Sequence, residues 1–179
     1  MAKTPAKPRS KQAAAKPAVS KLATPGGLGT NEVNDIGTAL NGLLANAYAL
    51  YLKTKNFHWH VSGPHFREYH LLFDEQATEI LATTDLIAER VRKIGGTTLR
   101  SVGHIARLQT IKDNNADFVG PADMIRELTA DNRAYVEALR RASQICDDAG
   151  DTATASLIDD WIDQAEQRVW FLFETGRDA

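Results

Sequence analysis

Apolar residues recur at helical spacing along most of the chain. Val33, Ile36, Leu40, Leu43, Leu44, Ala47 and Tyr51 keep the three-four step of an amphipathic helix and continue toward Phe57. A first long helix is therefore predicted, capped by Thr30 or Asn31 and carrying His58 near its end. A second is predicted from Pro64, which suits the first helical position after the turn signal Ser62-Gly63, to Gly95-Gly96. Phe66, Phe73, Ala77, Ile80, Leu81 and Ile87 supply part of its apolar circumference. The third opens at Pro121 and ends at Ala149-Gly150, with Met124, Leu128, Tyr135 and Leu139 inward. Asp151 or Thr152 can cap the fourth, whose Ile158, Trp161, Ala165 and Leu172 pack inward until Gly176.

The connections turn these four helices into a topology. Two are short turns, which return a helix antiparallel beside its predecessor. The turn at Ser62-Gly63 thereby delivers His58 to the His70 end of the second helix. The third connection, between Gly95 and Pro121, is about 25 residues, too long for an ordinary loop. It is expected to hold a short helix around His104 to Gln109 and to cross over to a parallel neighbour. One long crossover of this kind is what ferritin-like bundles contain, so the predicted fold is an all-α four-helix bundle with a short helix between helices 2 and 3.

Composition narrows the class. The 179 residues are 43% hydrophobic and 25% charged, enough for one domain with a proper core. No run approaches the roughly twenty apolar residues of a membrane helix. A single cysteine, Cys146, excludes an intrachain disulfide and is read as a packing residue.

Charge divides the chain where composition does. Residues 1–27 hold Lys3, Lys7, Arg9, Lys11, Lys16 and Lys21, no acid, and four of the six prolines. That leaves 15 basic against 23 acidic residues in the remainder, a net −8 under the overall −2. A segment so poor in large apolar residues is expected to form a flexible arm, with residues 28–179 as the bundle. It lacks the apolar core of a secretory signal, and its lysines and prolines fit a transit peptide poorly. The arm reads either as a polycation for DNA phosphates, through counterion release, or as an inert solubilising tail.

Candidate chemistry lies on the second helix. His70, Asp74, Asp85 and Glu89 fall within about 100° of one another at about 100° per residue, on one stripe. Each i,i+4 pair can offer two ligands from successive turns, and mixed imidazole and carboxylate suit iron or zinc. From Asp74 to Asp85, however, a helix rises about 16 Å, so one ion cannot be held by both pairs. Either the pairs serve separate purposes, or a second copy lies antiparallel across a two-fold axis and forms two equivalent intersubunit sites. Acidic residues at this spacing also form solvated helix faces, and the pattern alone leaves both readings open. No E-x-x-H motif occurs, which argues against an intrachain carboxylate-bridged centre.

HWHVSGPHF, followed by His70, Asp74, Asp85 and Glu89, resembles the Dps family, the DNA-binding proteins from starved cells or mini-ferritins. The family sets a histidine before a tryptophan, a second histidine twelve residues on, an aspartate four later and D-x-x-x-E after eleven more. That selects His58, His70, Asp74, Asp85 and Glu89 without a gap, within a resemblance running from about Thr30 to the C-terminus.

The resemblance implies a ferritin-like bundle in a hollow homo-dodecamer, with di-iron ferroxidase centres between two-fold-related subunits. It implies oxidation of Fe(II), preferentially by hydrogen peroxide, and a ferric mineral in the cavity. It also implies sequence-independent DNA binding through the lysine-bearing arm, in a cytoplasmic, nucleoid-associated protein. The rival readings are a structural DNA-compacting protein with a metal site of little redox role, and a cage binding zinc or another divalent ion.

Some positions stay less defined. His60 stands where many relatives carry asparagine, about 200° from His58 on a helix, so it and His65 are expected at the surface or an interface. Trp59 is either an electron donor beside the site or interface packing. No motif fixes Asp159, Asp160 and Asp163 to the acidic pore of the relatives, and they read equally as solvent-facing.

Overall fold

The computed structural model describes residue 22 and residues 24–177. The basic residues of the expected arm, Lys3 to Lys21, lie outside them. Five helices make up the fold: α1 Thr30–His60, α2 Phe66–Lys93, α3 Val102–Leu108, α4 Pro121–Asp148 and α5 Thr152–Thr175, with no strand among the described residues. None of these helices is long and apolar enough to cross a membrane.

Three boundaries differ from the sequence reading, each for a local reason. Gly63 adopts φ +110°, and the Phe66 N–H donates to its carbonyl at 3.1 Å, so Pro64 lies inside the turn instead of opening α2. The first helical carbonyl belongs to His65, which accepts from Tyr69 N–H at 3.1 Å. Gly29, without a side chain to offer, occupies the cap of α1, and Thr30 and Asn31 are already inside it. Ser101 Oγ accepts from His104 N–H and so starts α3 at Val102, two residues before the predicted start. At α5 the reading holds: the Asp151 carboxylate accepts from Thr154 N–H.

Side-chain pairs fix the helix directions. Late α1 meets early α2 through Lys55 and Asp74, and early α1 meets late α2 through Gly37 and Val91. Lys53 likewise reaches Glu127 and Asp131 near the start of α4. Both α2 and α4 thus run antiparallel to α1 and parallel to each other, and the segment from Ile94 to Gly120 supplies the crossover. Asn46 pins it, its Oδ1 accepting from Thr110 N–H at 2.7 Å and from Ile111 N–H at 3.3 Å.

Leu40, Phe57, Phe73, Ile80, Leu128 and Ile158 fill the core. Burying side chains of this size contributes about 1.5–3 kcal/mol each. Phe66 and Leu81, expected among the apolar circumference of α2, are instead exposed. Cys146 is fully buried, as a packing residue should be, and burial pushes its thiol up to about 11.

Two buried cations tie helices together across the interior. Lys53 Nζ lies 2.9 Å from Glu127 and 2.7 Å from Asp131, with 3% of its side chain exposed. Arg168, equally buried, donates to Glu79 at 2.7 Å and to Asn132 at 2.9 Å, joining α5 to α2 and α4. Neither was visible in the sequence, because the partners of both cations are distant along the chain. Beside the end of α2, Leu22 O accepts from Arg92 at 2.8 Å and the Thr24 hydroxyl donates to Arg92 O at 3.1 Å.

Candidate metal centre

The antiparallel return at Gly63 sets the last turn of α1 against the first turns of α2. His58 and His70 stack there, ring centroids 3.8 Å apart and planes 23° apart. His58 Nδ1 lies 2.7 Å from the His70 carbonyl, and His70 Nδ1 lies 2.9 Å from the His58 carbonyl. A carbonyl can only accept, so each Nδ1 carries a hydrogen, which in the neutral ring leaves the lone pair on Nε2. This reciprocal tie fixes tautomer and ring orientation together, as bonds behind metal-binding histidines do.

Asp74 follows His70 by one turn, its Oδ1 3.9 Å from His58 Nε2. The same oxygen accepts from Lys55 Nζ at 2.6 Å. That hydrogen bond holds the Asp74 carboxyl below the usual carboxylate range, so the group is anionic and already carries a cation. Lys55 also lies 5.9 Å from the centroid of the exposed Trp59 ring, and Phe66 stands 5.1 Å from His70.

The remaining two predicted residues are elsewhere. Asp85 and Glu89 are exposed on the far half of α2, and among the described residues Glu89 pairs with Lys93 at 3.2 Å. The chain therefore brings together His58, His70 and Asp74 and leaves Asp85 and Glu89 apart, about 16 and 22 Å along α2 from Asp74 by helical rise. Among the described residues of one chain, no three His, Cys, Asp or Glu side chains are grouped so that they could hold a metal ion. What one chain brings together is two imidazoles and one carboxylate.

His60 and His65 are exposed, the His60 ring turned back to the Asn56 carbonyl at 2.8 Å. Asp159, Asp160 and Asp163 are exposed as well. Sequence reasoning passed over Lys55. Its signal was its place one turn before His58 on a helix whose partner returns antiparallel.

A bundle of four long helices with one long crossover between the second and third is a ferritin-like architecture. The ferritin-like domain model matches residues 37–176. A DNA protection during starvation protein of Brevibacillus brevis is 34% identical over 137 residues, 76% of this chain and 91% of that one. DNA protection during starvation protein 1 of Deinococcus radiodurans is 30% identical over 141 residues, 79% of this chain and 68% of that one. The solved Dps of Thermosynechococcus elongatus superposes with a TM-score of 0.79 at 30% identity, covering 82% of this chain and 92% of that chain. The chain belongs to the Dps family.

Proposed function

We propose that this protein is a Dps-type ferroxidase and iron-storage cage that also binds and protects DNA. The observation that carries the reading is the reciprocal carbonyl tie of His58 and His70, which presents two lone-pair nitrogens beside an anionic carboxylate. Asp85 and Glu89 of a two-fold-related copy supply the other half, so a site has His58, His70 and Asp74 from one chain and two carboxylates from its partner. Twelve chains close the cage, the assembly that the family resemblance implies.

Fe(II) is the substrate. The mixed nitrogen and carboxylate set suits it and leaves positions open for an oxidant. Two ferrous ions held side by side give up one electron each to one hydrogen peroxide. Its O–O bond breaks, two protons are taken up and two waters form, so no hydroxyl radical is released. Lys55 occupies Oδ1 of Asp74, the oxygen nearest His58 Nε2, and must give it up if iron is to take that oxygen, so the ammonium marks a position an incoming cation can take. The ferric product is stored as mineral in the cavity.

The DNA activity is assigned to residues 1–27, whose six positive charges contrast with the net −8 of the rest. Contact is with phosphates, in a nucleoid-associated protein. Binding should weaken with salt by roughly 0.9 log units per log salt for each phosphate neutralised.

The test is ferrous oxidation on the assembled protein with peroxide or oxygen as oxidant, alongside gel retardation of DNA. Peroxide should be consumed at one equivalent per two Fe(II) and faster than oxygen. Removal of residues 1–27 should abolish most retardation and spare oxidation. Retardation unchanged by the truncation would overturn the assignment of the arm. Absence of iron-dependent peroxide consumption would leave the structural DNA-compacting reading.

A further inference from the structure

The end of a helix leaves its last carbonyls without intrahelical donors. At α2 a donor comes from the segment that precedes α1. The Thr24 hydroxyl faces two of these carbonyls, Arg92 O at 3.1 Å and Lys93 O at 3.3 Å. Gly95, at φ +96°, turns the chain away there, and a Cβ on it would stand 3.4 Å from Thr24 Oγ1 and 3.6 Å from Thr24 O. The segment thus lies directly on the turn that ends α2.

Arg92 holds the same segment from the helix side. Its Nη2 donates to Leu22 O at 2.8 Å, across 70 residues of sequence, and its Nη1 donates to Gly96 O. Both terminal nitrogens of the guanidinium are engaged by main-chain carbonyls, which fits Arg92 to hold the chain. Leu22 and Thr24 are the first described residues, and all six cations of the basic segment lie before them.

Such a clasp shortens the tether of every one of those cations. Lys21 immediately precedes Leu22, Lys16 stands six residues before it and Lys3 nineteen. With the clasp open, the next fixed point is Leu28, which packs against the core, and the same separations become seven, twelve and twenty-five. Effective concentration on a tether longer than its span falls roughly as the −3/2 power of length, so opening the clasp dilutes Lys16 about threefold and Lys3 about one-and-a-half-fold.

We infer that Arg92, together with Thr24, is a positioning residue for DNA binding: the two clasp the root of the basic segment onto the end of α2 and keep its lysines close to one point of the surface. The inference rests on the assignment of residues 1–27 to DNA. It gives the phosphate contacts to the lysines and the geometry to Arg92.

The test compares full-length Arg92→Gln and Thr24→Val with the parent by limited trypsin digestion without DNA and by gel retardation across a salt series. Arg92→Gln removes a charge and Thr24→Val only a hydroxyl, so an effect common to both reports the clasp. The parent should be cut after Lys21 more slowly than after Lys11. Each variant should raise the rate after Lys21 by about three- to tenfold, the factor that one hydrogen bond of ordinary net strength holds back, and leave the rate after Lys11 unchanged. Each should also weaken retardation about two- to threefold at fixed salt without altering the salt slope. Lys21→Gln, which removes a phosphate contact, should instead lower that slope by about 0.9 log units per log salt. Equal cleavage after Lys21 in parent and variants would overturn the clasp. Faster cleavage with unchanged retardation would overturn its role in binding, and a slope lowered by Arg92→Gln alone would make Arg92 a phosphate contact instead. A parent that fails to retard DNA would remove the assignment of the arm, and with it the role of Arg92, even where the cleavage pattern shows the clasp to be present.

Discussion

The two ends of α2 carry the same number of candidate ligands and treat them differently. Near its start, His70 is locked to His58 by reciprocal backbone bonds and Asp74 is held by Lys55 at 2.6 Å. Near its end, Asp85 and Glu89 stand in solvent, with one i,i+4 pair to Lys93 between them. On the ligand assignment proposed above, the contrast follows from ligand chemistry. An imidazole offers one lone pair in one direction and only in one tautomer, so it must be fixed in advance. A carboxylate has two oxygens, no tautomer and a free torsion, so it can be aimed by the ion when the partner chain arrives. One helix thus carries a rigid half and an adaptable half, and neither closes a site alone.

The largest effect should come from separating the halves genetically. His70→Ala removes a nitrogen from the rigid half, and Glu89→Ala removes a carboxylate from the adaptable one. Each alone should reduce the initial rate of ferrous oxidation by at least the 10–100-fold seen when groups supporting a metal ligand are lost. In a dimer of one variant with the other, one site receives both lesions and its twin receives none. Random co-assembly should therefore restore about a quarter of the parent's sites, since half the dimers are mixed and each holds one intact site. Mixing assembled cages without exchange should restore nothing. A refolded mixture that shows only the average of the two weak rates would place all ligands in one chain.

Most of this asymmetry could not be read from the chain. Helical spacing placed His70, Asp74, Asp85 and Glu89 on one stripe, and the short turn at Gly63 brought His58 to the correct end. The four long helices and the crossover were legible for the same reason, because apolar periodicity and turn residues are local signals. The carbonyl tie was not, since it depends on where two backbones end after packing. Lys53 and Arg168 were hidden for a related reason: a buried cation is betrayed only by its partners, and these are distant in sequence at Glu127, Asp131, Glu79 and Asn132. Pro64 misled because the turn needed a left-handed Gly63 and two further residues before the helical hydrogen bonds could begin.

A smaller effect is expected at the cation already in the rigid half. Lys55→Met frees Asp74 from a pair whose acid side chain is about half exposed. Solvent screens an exposed pair of this kind, so binding of Zn(II), a redox-inert probe, should tighten by no more than about fivefold. Titration calorimetry on the assembled protein measures it. Weaker binding in Lys55→Met would show that the lysine orients Asp74 for metal instead of occupying its oxygen.

The smallest effect belongs to the adaptable half, and it separates a ligand from a structural residue. Glu89→Gln in the metal-free protein removes only an exposed pair with Lys93, worth about 0.3–0.5 kcal/mol at i,i+4 spacing. Denaturation of the metal-free variant should therefore stay within about 0.5 kcal/mol of the parent. Lys53→Met supplies the scale for the same measurement, because it strands Glu127 and Asp131 in the interior and should cost about 3–5 kcal/mol, toward the lower figure since Glu127 is a third exposed. Zinc should stabilise the parent and stabilise Glu89→Gln less, the difference growing with zinc concentration as mass action requires. Equal stabilisation of both would remove Glu89 from the site, while a large metal-free loss would make it a structural residue whose loss of activity says nothing about ligation.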